Sequence, residues 1–201
     1  MDDKKELPKR KELRLKQFDY SSAGAYFITV CVKDRKRILS KIQSPVGVGA
    51  HDDPHEGATG SPKIQLTKTG EIIEKYLLSS EMIPGVKIDR YVIMPDHIHA
   101  IVLIYPGGSS PQKNGSSRAP TPTNETLPHI VSTFKRLCGK ELGRSIFQRG
   151  YFEHVIRGRE DYETTTKYII DNPIRWYYDG PDAEVPLPAS VTANKKDQNS
   201  I

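Results

Sequence analysis

The segment HIHAIVLI at residues 97–104 constrains the fold more than any other part of the sequence. Apolar side chains occupy both sets of alternating positions, a pattern typical of a strand that is covered on both faces. The turn residues Pro95 and Asp96 precede this segment, and an extended segment at residues 86–93 precedes the turn. We therefore expect a hairpin whose second strand is central in a sheet that is covered by helices.

Local patterns predict the other elements of the fold. Two runs rich in β-branched and aromatic residues indicate strands, and two apolar stripes at helical spacing indicate helices. The predicted strands are residues 26–32 and 151–156, and the helical stripes lie at 72–77 and 130–138. A last helix opens at Glu160 and Asp161. We expect it to end near Asn172, because Pro173 disfavours helical geometry in the residue before it.

The order β-α-β-β-α-β plus a final helix predicts an α+β, ferredoxin-like split β-α-β sandwich, in which helices cover one face of an antiparallel sheet. We expect this domain to span residues 17–178, after a basic N-terminal arm at 1–16. Segments rich in Gly, Pro and small polar residues at 44–62 and 106–125 indicate loop insertions. The polar tail, residues 179–201, is predicted to be disordered.

Charge and cysteine content narrow the class of protein. Thirty Lys and Arg against 25 Asp and Glu give a formal net charge of +5, which favours an acidic partner without identifying one. Two cysteines form neither a disulfide framework nor a zinc cluster, so a reducing compartment is the simpler interpretation. The charged N-terminus lacks a signal-peptide pattern, and the longest apolar run is too short to cross a bilayer. We expect a cytoplasmic protein with no membrane partner.

His97 and His99 are the strongest candidates for metal ligands. Residues two apart in a strand point to one face, so both imidazoles project the same way. Two convergent histidines can chelate one divalent ion, whereas an isolated pair of this kind is more often hydrogen-bonded beneath a helix. The surrounding apolar strand makes burial of two unused polar rings costly, which favours the metal site.

Basic and aromatic residues alternate around the predicted strand at residues 151–156. Arg149, Tyr151, Arg157 and Arg159 are candidate DNA-binding residues, with charges for phosphates and a ring for an unstacked base. A solvated rim beside a core strand explains the pattern almost as well. The sequence contains no GxxxxGK phosphate loop, no HExxH motif and no GxSxG elbow, which sets aside those three chemistries.

Several ordered sequence blocks carry a family resemblance. The main blocks are GAYFIT at 24–29, YVIMPDHIHAIV at 91–102, QRGYFEHVIR at 148–157 and YIIDNP at 168–173. Together they resemble the single-tyrosine transposases of bacterial insertion sequences, named HUH after the histidine–hydrophobic–histidine motif. The similarity is greatest to the REP-associated tyrosine transposases.

This resemblance implies a ferredoxin-like domain in which His97 and His99 bind Mg²⁺ or Mn²⁺ and Tyr168, on the last helix, is the nucleophile. It implies an endonuclease and strand transferase that acts as a monomer or homodimer. Its DNA substrate is an imperfect single-stranded hairpin, cleaved through a 5′-phosphotyrosine intermediate. Asn172 is implied as a third ligand, and the alternative is that it ends the helix before Pro173. The alternative function is a domesticated DNA- or RNA-hairpin binding module without strand transfer, and a metal-bound structural protein is a third possibility.

Overall fold

A computed structural model of the chain describes residues 23–44, 61–105 and 126–180. The elements in these ranges are β1 (Gly24–Cys31), β2 (Ser40–Gln43), β3 (Lys63–Leu66), α1 (Lys68–Ser79), β4 (Val86–Ile93), β5 (His97–Ile104), α2 (Thr126–Glu141), β6 (Phe152–Ile156) and α3 (Arg159–Asp179). The predicted N-terminal arm, most of the two loop insertions and nearly all of the predicted tail lie outside the described residues. None of the helices in these ranges is long and apolar enough to cross a membrane.

The main sheet has four antiparallel strands in the order β4-β5-β1-β6. If the four strands of this sheet are numbered 1 to 4 along the chain, their order across the sheet is 2-3-1-4. That order is the one expected of the split β-α-β arrangement. β5 lies between β4 and β1, so the strand predicted to be central is central. The predicted α+β class and ferredoxin-like sheet are confirmed.

Alternation along the central strands separates the two faces of the sheet. Ile28 and Ala100 belong to the apolar core that α1 and α2 cover. Phe27 and Ile101, one residue away on the same two strands, belong to a second cluster with Tyr168 of α3. Because successive residues of a strand point to opposite faces, α3 covers the face that α1 and α2 leave open.

The end of α3 differs from the sequence prediction. The helix continues through Pro173 to Asp179, so the predicted end near Asn172 is wrong. A proline inside a helix removes one backbone hydrogen bond and crowds an earlier carbonyl, at a cost of about 3 kcal/mol. Ile169 before the proline and Trp176 after it both pack against the second cluster. Burial on both sides of the proline offsets the cost, and the helix stays continuous.

A two-stranded antiparallel sheet of β2 and β3 lies beside the main sheet and was not predicted. Each strand has only four residues, and a long polar segment separates them in the sequence. The strand before α1 is joined to the helix at Thr67, whose side chain accepts from the backbone N–H of Gly70 at 3.1 Å. A Cβ atom at Gly70 would lie 2.0 Å from the carbonyl oxygen of Leu39, so this close approach requires glycine.

Candidate active site

His97 and His99 project from β5 toward α3, and both side chains are almost fully buried. Their Nε2 atoms are 3.0 Å apart. Two nitrogens at this separation can both lie about 2.1 Å from one ion, at an angle of about 90°. In the absence of an ion, the same separation is that of an N–H···N hydrogen bond. The pair is therefore preformed for chelation and has a stable arrangement without metal.

The Nδ1 atoms of the two histidines have partners that turn both Nε2 atoms toward one point. Nδ1 of His97 donates to Oδ1 of Asp96 at 2.5 Å, which leaves a lone pair on Nε2. The hydroxyl of Thr29 lies 2.9 Å from Nδ1 of His99 and can accept or donate there. When Thr29 accepts, Nε2 of His99 is also free to bind a cation. Partners of this kind orient metal-binding histidines and set their tautomer.

Arg35 extends the contacts on the His97 side. Its Nε atom is 3.2 Å from Oδ2 of Asp96, and its Nη1 atom donates to Sγ of Cys31 at 3.1 Å. Arg35 has a φ of 51° and the preceding Asp34 a φ of 57°. Such left-handed values are uncommon outside glycine and cluster at functional sites. This turn points the Arg35 guanidinium at Asp96. The Asp96 carboxylate therefore contacts both the Arg35 guanidinium and the His97 imidazole.

The surroundings of His99 keep its imidazole neutral. Burial, the adjacent His97 and then Arg35 lower the pKa of His99 well below its ordinary value of 6.5. The neutral imidazole is the form that binds a metal ion. His99 is therefore ready to act as a ligand at neutral pH.

Tyr168 lies directly against the histidine pair. Its ring centroid is 5.2 Å from that of His99 and 5.9 Å from that of Phe27, and only 7% of the residue is exposed. Burial raises the pKa of the Tyr168 phenol above its ordinary value of 10.0, and the Asn172 side chain is the largest opposing influence. The phenol is therefore protonated at neutral pH and needs assistance to act as a nucleophile.

Asn172 lies one helical turn after Tyr168, on the same buried face of α3. The Asn172 side chain lies close enough to the Tyr168 phenol to oppose the rise in its pKa, although its buried Nδ2 atom forms no hydrogen bond of regular geometry among the described residues. Because α3 continues past Pro173, the interpretation of Asn172 as a helix stop is wrong. Its role as a ligand stays a prediction.

Few side chains at this site could bind a metal ion. In the described ranges, no group of three or more His, Cys, Asp and Glu side chains converges as a metal site. The candidate ligands are the two imidazoles, and the neutral amide of Asn172 is the third candidate. Imidazole nitrogens suit Mn²⁺ better than Mg²⁺, and either ion can complete its coordination with waters and a substrate phosphate. The residues fit an open, loosely binding site for a divalent cation.

Two contacts fix α3 on the sheet and thereby position Tyr168. Nε2 of His154 on β6 lies 3.0 and 2.9 Å from the two carboxylate oxygens of Asp161. The hydroxyl of Tyr162 donates to the Asp89 carboxylate on β4. These contacts tie the start of α3 to both edge strands of the sheet. No sequence motif signalled either of them, because each joins residues whose proximity depends on the fold.

The four predicted DNA-binding residues do not converge. Arg149 is exposed near the start of β6, at the same end of the sheet as the histidine pair. Arg157 and Arg159 are exposed beyond the opposite end of β6, and Arg159 forms an ion pair within α3. Tyr151 packs on the α2 side of the sheet, where the Lys135 ammonium lies 5.7 Å from its ring centroid. The three arginines thus lie near the two ends of the edge strand β6.

Comparisons with known proteins agree with the resemblance. No protein-family model matches the chain. An uncharacterized protein of Haemophilus influenzae is 29% identical over 181 residues, which cover 85% of this chain and 91% of that protein. A REP-associated tyrosine transposase of Escherichia coli is 29% identical over 89 residues, which cover 44% of this chain and 45% of that protein.

A solved structure extends the relationship to the fold. The structure of a REP-associated tyrosine transposase bound to a REP hairpin has a TM-score of 0.52 and 18% sequence identity to this chain. The match covers 83% of this chain and 74% of that one. The chain is therefore related to the REP-associated tyrosine transposases and shares their fold, as the sequence blocks predicted.

Proposed function

We propose that the chain is a metal-dependent single-stranded DNA endonuclease and strand transferase that acts on hairpins through Tyr168. The observation that carries the proposal is the edge-to-face contact between the rings of Tyr168 and His99, whose centroids are 5.2 Å apart. The Nε2 atom of that histidine lies 3.0 Å from Nε2 of His97. A buried tyrosine beside a preformed pair of nitrogen donors suits phosphoryl transfer. The solved relative bound to a REP hairpin supports a folded single strand as the substrate.

Tyr168 is the proposed nucleophile. Its phenol oxygen forms a bond to the scissile phosphorus as the bond to the 3′ oxygen breaks. The phenol loses its proton and the departing 3′ oxygen gains one, which leaves a 5′-phosphotyrosine and a free 3′-hydroxyl. One phosphodiester replaces another, so no ATP is needed, and a second 3′-hydroxyl can reverse the step. Strand transfer follows from this reversibility.

The histidine pair and its hydrogen-bond partners would act on the scissile phosphate. A divalent cation, Mg²⁺ or Mn²⁺, held by His97 and His99 with Asn172 as third candidate, would supply positive charge to a non-bridging phosphate oxygen. Asp96 and Thr29 hold the two imidazoles in position for that role. Packing of α3 over this face limits access of water to the reacting groups.

The exposed arginines suggest the course of the bound strand. Arg149 lies at the histidine end of β6, and Arg157 and Arg159 lie at its other end. A DNA strand along this edge would meet positive charge at both ends and reach the candidate active site at one of them. Binding through phosphates should weaken with salt, with a log–log slope of roughly −0.7 for each phosphate neutralised.

A denaturing gel separates this proposal from the alternative of a hairpin-binding module. The full-length chain is incubated with Mn²⁺ and a labelled DNA hairpin that has single-stranded flanks, and the mixture is denatured. The proposal predicts a retarded covalent band for the wild type and no such band for Tyr168→Phe, which still binds the hairpin. Binding by the wild type with no covalent band would favour the binding module.

A further inference from the structure

Arg175 lies on the same side of α3 as Tyr168 and is half-buried. It follows Tyr168 by seven residues, which is close to two turns of an α-helix, or about 10 Å along the helix axis. Long side chains on a helix point back toward its N-terminus, so this position directs the guanidinium toward the turn that carries Asn172 and Tyr168. The helix register therefore places a cation near the proposed nucleophile.

The charge of Arg175 acts on the reacting phenol. Burial raises the pKa of Tyr168, and the Asn172 side chain and then the positive charges of Arg175 and Arg35 oppose that rise. A charge has such an effect when it lies near the group and water screens it incompletely. The electrostatics and the helix register thus agree that Arg175 lies near the site of the proposed reaction.

Arg175 differs from neighbouring cations in its pairing. Arg35 pairs with the Asp96 carboxylate, and Lys167 pairs with Asp171 on the surface of α3. In the ranges that the structure describes, Arg175 forms no ion pair with a carboxylate. It also lies before the last turn of α3, so it does not offset the negative end of the helix dipole. A half-buried guanidinium stays charged and is costly without an anion, so Arg175 is suited to bind one.

We propose that Arg175 is a further catalytic residue, whose guanidinium contacts a non-bridging oxygen of the scissile phosphate as Tyr168 attacks it. The inference rests on the proposed function, because the anion is the phosphate that Tyr168 attacks. Negative charge develops on the non-bridging oxygens in the transition state. A fixed cation beside them stabilises that state more than it stabilises the bound substrate. The guanidinium acts there together with the cation at the histidine pair.

Single-turnover cleavage tests this inference. The full-length chain, with Mn²⁺, is held in saturating excess over a labelled DNA hairpin with single-stranded flanks, and the covalent band on a denaturing gel gives the rate. Arg175→Ala should lower this rate by roughly hundred- to thousandfold, the usual loss when one transition-state donor is removed. Its affinity for the hairpin, measured by anisotropy of the label, should fall by a much smaller factor. Thermal melting confirms that the variant is folded.

Chemical rescue separates a direct contact from a role in packing. Guanidinium ion, added at constant ionic strength and far below denaturing concentrations, can occupy the space left in Arg175→Ala and should recover part of the lost rate. Urea has nearly the same shape and no charge, so it should recover none.

Two further variants complete the test. Arg175→Lys keeps the charge without the planar fork, so its rate should lie between those of Arg175→Ala and the wild type. Arg136→Ala is the matched control, because it removes the same side chain from an exposed position of α2, on the other face of the sheet. This control should keep the wild-type rate.

The two proposals fail in different ways. Covalent attachment by Arg175→Ala at the wild-type rate overturns the role of Arg175 and leaves the proposed function standing. A slow Arg175→Ala variant that guanidinium does not accelerate, or that urea accelerates equally, also overturns the contact with the phosphate alone. A wild-type chain that binds the hairpin and forms no covalent band overturns both.

Discussion

The hydroxyl of Thr29 lies 2.9 Å from Nδ1 of His99, across the pairing of β1 and β5 that places the two residues opposite each other. A hydroxyl can accept from an Nδ1–H group or donate to a bare Nδ1 atom. Thr29 therefore suits both states of the site. It accepts when His99 binds a cation through Nε2, and it donates when Nε2–H of His99 bonds to His97.

Thr29→Val should weaken Mn²⁺ binding by about ten- to hundredfold, the usual effect of removing a partner of a metal-binding histidine. Valine has nearly the same shape and lacks the hydroxyl, whereas the control Thr29→Ser keeps it. Trp176 lies 6.0 Å from His97, so a Mn²⁺ titration can be followed by paramagnetic quenching of its fluorescence. Unchanged Mn²⁺ affinity in Thr29→Val would show that the hydroxyl does not orient a ligand.

Asn172→Ala should raise the Mn²⁺ concentration for half-maximal cleavage by about tenfold or more, because the site loses a candidate ligand. Asn172→Asp should lower that concentration, since a carboxylate binds a hard cation more tightly than an amide. Asp171→Ala is the control, because its carboxylate pairs with Lys167 on the helix surface. A drop in melting temperature with unchanged Mn²⁺ dependence in Asn172→Ala would assign the residue a packing role alone.

His99 should make the metal-free protein sensitive to mild acid. Its folded-state pKa is lowered by burial, then by His97 and Arg35, so the folded state binds its proton less readily than the unfolded chain does. The stability from this group is complete above the unfolded pKa of about 6.5 and is lost as the pH falls toward the folded value.

Thermal melts in a metal chelator test this pH dependence. The wild type should lose stability between about pH 7 and about pH 5, and His99→Gln should lose less over the same range. His129→Gln, a half-buried position on α2, should keep the wild-type slope. If the melting temperature of His99→Gln falls with pH as steeply as that of the wild type, groups other than His99 cause the acid sensitivity.

Gly70→Ala should destabilise the fold by about 1–3 kcal/mol, because the new Cβ must displace a backbone carbonyl. That Cβ would lie 2.0 Å from the carbonyl oxygen of Leu39. The control is Gly139→Ala in α2, where the nearest atom would be 3.5 Å away. The control should stabilise the helix by about 0.5–1 kcal/mol. Equal effects of the two substitutions in denaturant unfolding would contradict the close approach at Gly70.

The sequence predicts those parts of the molecule that depend on local pattern. Two-residue alternation in β5 places His97 and His99 on one face, and the structure has them on one face. The order of strands and helices was enough to predict the sheet, since few closures of that order bury every apolar face. Both predictions depend on neighbours in the sequence or on the sequence order of the elements.

The remaining features depend on contacts between distant residues. Thr29 lies 70 residues from His99, and only the strand register joins them. The continuation of α3 past Pro173 depends on burial of Trp176, which no local propensity reveals. The position of Trp176 beside His97 was missed for the same reason, because the helix was expected to end before it. A proline predicts a helix end only when tertiary packing does not oppose it.

Identification of the residue that becomes joined to DNA tests the central claim most directly. The wild-type chain is incubated with Mn²⁺ and a flanked DNA hairpin, the covalent adduct is digested, and the modified peptide is sequenced by mass spectrometry. The account predicts a nucleotide on Tyr168, and no adduct in His97→Ala or Tyr168→Phe preparations that still bind the hairpin. A nucleotide on Tyr162 or Tyr177, or no adduct in a wild-type preparation that binds the hairpin, would contradict it.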